Sequence, residues 1–138
     1  MNRVFVYLMA LLMVGMVVTS CSLRLREKPE EVEKMSLTDL YNAGVAYYSD
    51  GMDNEAKYMY MKIIEKYKKI QNPTEEEKGK YYWALYEIGF INYKDENYRG
   101  SVNFMDMVLS GTNDGLDDKS PQIILAKKIK LKITPYLR

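Results

Sequence analysis

Cys21 carries the one thiol of this 138-residue chain, and no histidine accompanies it anywhere. Thiolate–imidazole nucleophiles, serine–histidine arrangements and most zinc sites therefore lack a required member, and no Gly-rich phosphate loop is present. A disulfide within one chain is excluded because the thiol has no partner. Two acidic clusters remain. Glu75-Glu76-Glu77 offers neighbouring carboxylates, yet acids in a helical first turn more simply face solvent at the positive end of the helix dipole. Asn113-Asp114-Gly115-Leu116-Asp117-Asp118 has the composition of a calcium loop but not the spacing or terminal Glu of an EF-hand, and reads as a turn. These residues predict no enzymatic reaction, no metal and no cofactor. The abundant chemistry is aromatic instead: 13 tyrosines, clustered between Tyr41 and Tyr98, with one tryptophan at position 83.

The residues ahead of Cys21 decide what its thiol does. Asn2 and Arg3 lead into an uncharged run from Val4 to Val18, followed by two small residues. That is the layout of a secretory signal peptide. Val18-Thr19-Ser20-Cys21 resembles a bacterial lipobox, with an aliphatic residue and two small ones before the cysteine. The resemblance implies cleavage ahead of Cys21 and a diacylglyceryl group on its sulfur, often with a further chain such as palmitate. Two or more chains hold a membrane stably where one does so only marginally. Because Ser22 is not Asp, the common sorting rule implies the outer membrane, facing the periplasm. The run is shorter than the ~20 apolar residues of a spanning helix, which leaves an uncleaved signal anchor as the other reading. Residues 1–20 are thus expected as signal peptide, 21–35 as a charged tether, and 36–138 as the folded domain. The 118 residues from Cys21 onward hold 19 basic and 19 acidic side chains, enough chain for one modest core. So balanced a charge gives no pull toward nucleic acid.

Local signals predict an all-α domain of about five helices. Ser36 with Asp39 forms a capping-box pattern for a helix to about Tyr48, which Asp50-Gly51 ends. A second helix runs from about Asp53 to Ile70 and stops at Asn72-Pro73. Thr74 caps a third helix reaching Tyr93, and a fourth spans about Tyr98 to Leu109. Residues 110–119 read as a loop, and Ser120-Pro121 opens a last helix ending near Thr134-Pro135. No stretch alternates with period two, so strands are not expected.

Gly44 and Gly89, 45 residues apart, sit in similar surroundings. Leu40, Ala43, Gly44, Ala56, Tyr60 and Ile63 fall opposite Leu85, Ile88, Gly89, Ser101, Met105 and Val108. The pattern resembles the tetratricopeptide (TPR) helix–turn–helix repeat, in which small residues twelve places apart let two helices pack closely; Gly44 with Ala56 and Gly89 with Ser101 take those positions. A generic antiparallel bundle is the alternative. Together with the lipobox, the pattern over about residues 18–110 is similar to the TPR lipoprotein subunit of the outer-membrane β-barrel assembly machinery and its smaller relatives. The last helix, with Ile123, Ile124, Ala126, Ile129, Leu131 and Ile133, would cap the array.

In the TPR register the concave face holds Thr38, Tyr41, Val45 and Tyr48 from one helix and Trp83, Tyr86, Phe90 and Tyr93 from the other. The second set keeps to one helical face. Tyr and Trp are typical interface anchors, so Tyr41, Tyr48, Trp83, Tyr86, Phe90 and Tyr93 are candidates to grip an envelope protein or peptide. The same stripe would equally serve as core beneath the last helix. Lys127, Lys128, Lys130, Lys132 and Arg138 either meet anionic headgroups or form a solvated face. The expected function is a non-catalytic TPR-like interaction module, held to an envelope membrane through Cys21, with an accessory role in outer-membrane assembly or secretion as what the resemblance implies. The alternative is an anchoring protein that binds glycan or lipid headgroups.

Overall fold

A computed structural model describes residues 23–137, so the expected signal peptide and the lipidation at Cys21 lie outside the described residues. The described chain is all helical: α1 Pro29–Val32, α2 Leu37–Ser49, α3 Asp53–Tyr67, α4 Glu75–Lys94, α5 Tyr98–Leu109 and α6 Pro121–Ile133, with 3-10 turns at Ser110–Asp114 and Thr134–Tyr136. None of these helices is long and apolar enough to cross a membrane.

The capping signals act where the sequence places them. Ser36 Oγ accepts from Asp39 N–H at 3.1 Å, and Thr74 Oγ1 accepts from Glu77 N–H at 3.2 Å; each acid reaches back to its cap residue. Pro121 stands in the first turn of α6 behind Ser120, although the Ser120 hydroxyl makes no capping bond. Helix α3 stops at Tyr67 and finishes in a turn through Ile70.

Helices α2 and α3 form one antiparallel hairpin and α4 and α5 a second; α4 packs between α2, α3 and α5, and α6 closes on α4 and α5. The two hairpins repeat each other in detail. Met52 N–H donates to Tyr47 C=O and Asn97 N–H to Asn92 C=O, both at 2.9 Å and both 45 residues apart. Each bond closes a turn through a left-handed residue, Gly51 at φ 73° and Glu96 at φ 58°, the geometry of a Schellman cap. Leu40 and Leu85, Ala56 and Ser101, Tyr60 and Met105, and Ile63 and Val108 are equivalent pairs, and all are buried.

The glycines make the close approaches, but the tightest contact of each is not with the small residue expected. A Cβ on Gly44 would lie 2.5 Å from the Tyr60 ring rather than against Ala56, and one on Gly89 would meet Met105 Cε at 2.8 Å. Both contacts fall sixteen residues downstream, one turn beyond the small residue. Large side chains there fill the space the glycines leave.

The expected tether is corrected over residues 23–35. These residues form a docked strap. Arg24 N–H donates to Glu55 Oε1 at 2.8 Å, and Arg26 N–H to the Tyr47 hydroxyl at 2.5 Å; that hydroxyl donates to Glu27 at 2.6 Å. Farther along, Val32 is fully buried in the core, and Lys66 Nζ donates to the carbonyls of Glu33 and Met35 at 2.9 and 2.5 Å. Charge density suggested a solvated spacer, but Leu25 and Val32 supply apolar contacts and Glu27 is half-buried against the Tyr47 hydroxyl, while most other charged side chains stay exposed. The strap runs from the α2–α3 turn back to the start of α2 and covers one flank of the first hairpin.

Candidate functional site

Helices α2 and α4 run side by side in the same direction and present the aromatic residues together. Cross-links along the pair hold them in register: Thr38 Oγ1 donates to Glu76 at 3.2 Å, Lys80 Nζ lies 4.9 Å from the Tyr41 ring centre, and Lys94 Nζ lies 4.6 Å from that of Tyr48. The Tyr48 and Phe90 rings meet edge to face at 6.5 Å. Trp83, Tyr86, Phe90 and Tyr93 then form a continuous series, with successive ring centres 5.7 to 6.3 Å apart.

The predicted strip divides between surface and core. Tyr41, Tyr48, Trp83, Phe90 and Tyr93 are half-buried, and Val45 is 40% exposed. Tyr86 is only 8% exposed and belongs to the core, because position 86 turns inward under the Trp83 and Phe90 rings. The outward line of α4 is Lys80, Trp83, Glu87, Phe90 and Lys94, spaced three and four apart as one helical face requires.

Glu87 is the member that the aromatic reading of the sequence passed over, although its spacing from Trp83 and Phe90 pointed to it. Burial raises its carboxyl above the usual carboxylate range. None of the ion pairs among the described residues involves it. Burial, reinforced by the Glu87 charge, pushes the Tyr41 hydroxyl up to about 12 and also raises those of Tyr60 and Tyr86. These phenols therefore stay neutral at ordinary pH. The face thus combines exposed ring surface, hydroxyl donors and one half-buried carboxylate.

The aromatic series continues beyond the predicted set. Tyr93 lies 6.3 Å from Tyr98, and Tyr98 stacks on Tyr136 at 4.7 Å. No sequence periodicity links residue 98 to residue 136; only the return of α6 joins them. On the other side of α4, Tyr67 stacks on Tyr81 at 4.2 Å, Tyr82 follows at 5.0 Å, and the Tyr82 hydroxyl donates to Asp114 at 2.5 Å.

Most residues of the remaining charged clusters have structural partners, Lys128 and Lys132 being exposed and outside the described ion pairs. Glu75 pairs with Lys78 at 2.7 Å, Glu76 meets Thr38, and Glu77 completes the Thr74 cap, whose hydrogen bonds lower its carboxyl. Asp114 receives Tyr82, Asp117 accepts from Lys119 N–H, and Asp118 pairs with Lys127. Lys130 pairs with Asp106, whereas Lys128 is exposed beside the apolar Ile124 and Leu131. No family model, no curated protein and no solved structure matches this chain.

Proposed function

We propose that the chain is a lipid-anchored, non-catalytic module of a bacterial envelope that uses TPR-like helical hairpins to grip a protein segment. The 45-residue recurrence of the turns and glycines supports the TPR-like reading, and the sequence around Cys21 supports the anchor. The observation that carries the binding function is the outward face of α4 with its neighbour from α2: half-exposed Trp83 and Phe90 flank Glu87 on one helical face, Tyr41 feels its charge, and the carboxylate has no cation among the described ion pairs. A partially desolvated carboxylate costs the fold stability unless something compensates. A segment carrying Lys or Arg between apolar side chains supplies that compensation, with its cation beside Glu87 and over the rings.

Crosslinking in intact cells followed by purification tests this reading. A defined protein is expected to accompany the wild type and to be lost at least tenfold from Trp83→Ala and Glu87→Gln, with both variants still folded by circular dichroism. Retention of the same protein by both variants, or recovery of only glycan or lipid, would overturn it. The conservative variant Glu87→Asp keeps the charge and is expected to retain part of the binding.

A further inference from the structure

The docked strap decides which end of the helical body lies nearest to whatever holds Cys21, and the inference drawn from it rests on the reading of Cys21 as a membrane anchor. Two residues, Ser22 and Leu23, separate Cys21 from Arg24, and the three steps between them reach about 10 Å at full extension. Arg24 is already fastened to Glu55 in the first turn of α3, and Arg26 to Tyr47 in the last turn of α2 and to Asp50 beyond it. The chain thus leaves the body at the α2–α3 turn. The α4–α5 turn lies at the same end, since Lys57 pairs with Asp95 at 2.8 Å and Lys94 with Asp53 at 3.5 Å across the two hairpins. The end of α6 joins them through the Tyr98–Tyr136 stack.

We propose that this end of the body rests on the bilayer surface, with the helices standing away from it and the loops at 68–74 and 110–120 farthest from the lipid. The occupant fits the chemistry displayed. Tyr136 is 64% exposed and Leu137 45%, lining a shallow cavity of about 300 Å³ with Glu96 to Arg99, and Leu23, next to the fastened Arg24, is 41% exposed. Tyrosine, with an apolar ring and a polar tip, is suited to the boundary between headgroups and acyl chains. The charges at this end balance: Arg26–Asp50, Lys57–Asp95 and Lys94–Asp53 pair, and Arg24 and Arg99 stand against Glu27 and Glu96. Attraction to anionic lipid is therefore weak, and the contact is set by the anchor and the short reach behind it.

The test uses the full chain, purified with its anchor from bacterial membranes and placed in phosphatidylcholine vesicles containing a headgroup nitroxide lipid. A fluorophore is attached through Arg99→Cys in one sample and Gln71→Cys in another; both positions are exposed and at opposite ends. Nitroxide is expected to quench the label at 99 several-fold more than the label at 71. Equal quenching, or stronger quenching at 71, in protein that floats with the vesicles overturns the orientation and leaves the anchor standing. Protein that does not float with vesicles overturns the anchor, and the orientation with it.

Discussion

Glu87 shows how a single residue can be set against the fold that holds it. Burial raises its carboxyl, and a carboxyl whose folded pKa exceeds its unfolded value favours the folded state only while protonated. Its contribution is complete below the unfolded value of roughly 4.3 and is lost as pH rises through the folded pKa. Glu87→Gln is accordingly expected to raise the thermal midpoint at neutral pH, with the gain vanishing in acid; a midpoint equal to wild type at every pH would refute the assignment. The same substitution is expected to weaken the partner, so stability and binding move in opposite directions. The Trp83 and Phe90 positions were legible from helical spacing. The inward turn of Tyr86 was not, because a stripe three residues wide does not say which edge the neighbouring helix covers.

At the scale of elements, the two hairpins differ at one informative position. Gly51 and Glu96 hold the same left-handed turn residue, where a side chain costs roughly 1–2 kcal/mol and glycine returns part of that through its freedom when unfolded. Glu96→Gly is expected to stabilise the protein by about 0.5–1 kcal/mol in urea titration, while Gly51→Ala is expected to cost about 1 kcal/mol. If Glu96→Gly destabilises, the turn equivalence is wrong. The helices, their caps and the 45-residue recurrence were readable because each depends on neighbours in sequence. The strap was not. Its charged composition matched a solvated spacer, and its docking depends on Glu55 and Tyr47, which lie 31 and 21 residues away from Arg24 and Arg26. Tyr47→Phe deletes the hydroxyl that joins Arg26 and Glu27, and a cost of about 1–3 kcal/mol follows. Faster hydrogen exchange at the Arg26 amide would locate that loss; unchanged exchange there would mean the strap is held by other contacts.

For the molecule as a whole, the strap, the paired turns and the aromatic face all share the axis of α2 and α4. In the proposed orientation, with the turn end on a bilayer, that face would stand along the membrane normal and open sideways, so a partner could reach it without contacting lipid. Salt is expected to affect the two contacts differently. The cation beside Glu87 responds to ionic strength only to the extent that it remains solvated, while the balanced charges at the turn end give the proposed bilayer contact little salt dependence. The strap also governs how this body answers force. A pull on the chain ahead of Leu23 reaches the Arg24–Glu55 bond first, then the Tyr47 hydroxyl, and Val32 after that, so the fastenings peel one after another and never share the load. Each release lengthens the line before the helices feel tension; residues 24–36 reach about 40 Å when fully extended, about 20 Å more than they already span along α2. On the proposed anchor the body would be moored on a short line with a reserve laid along its own side.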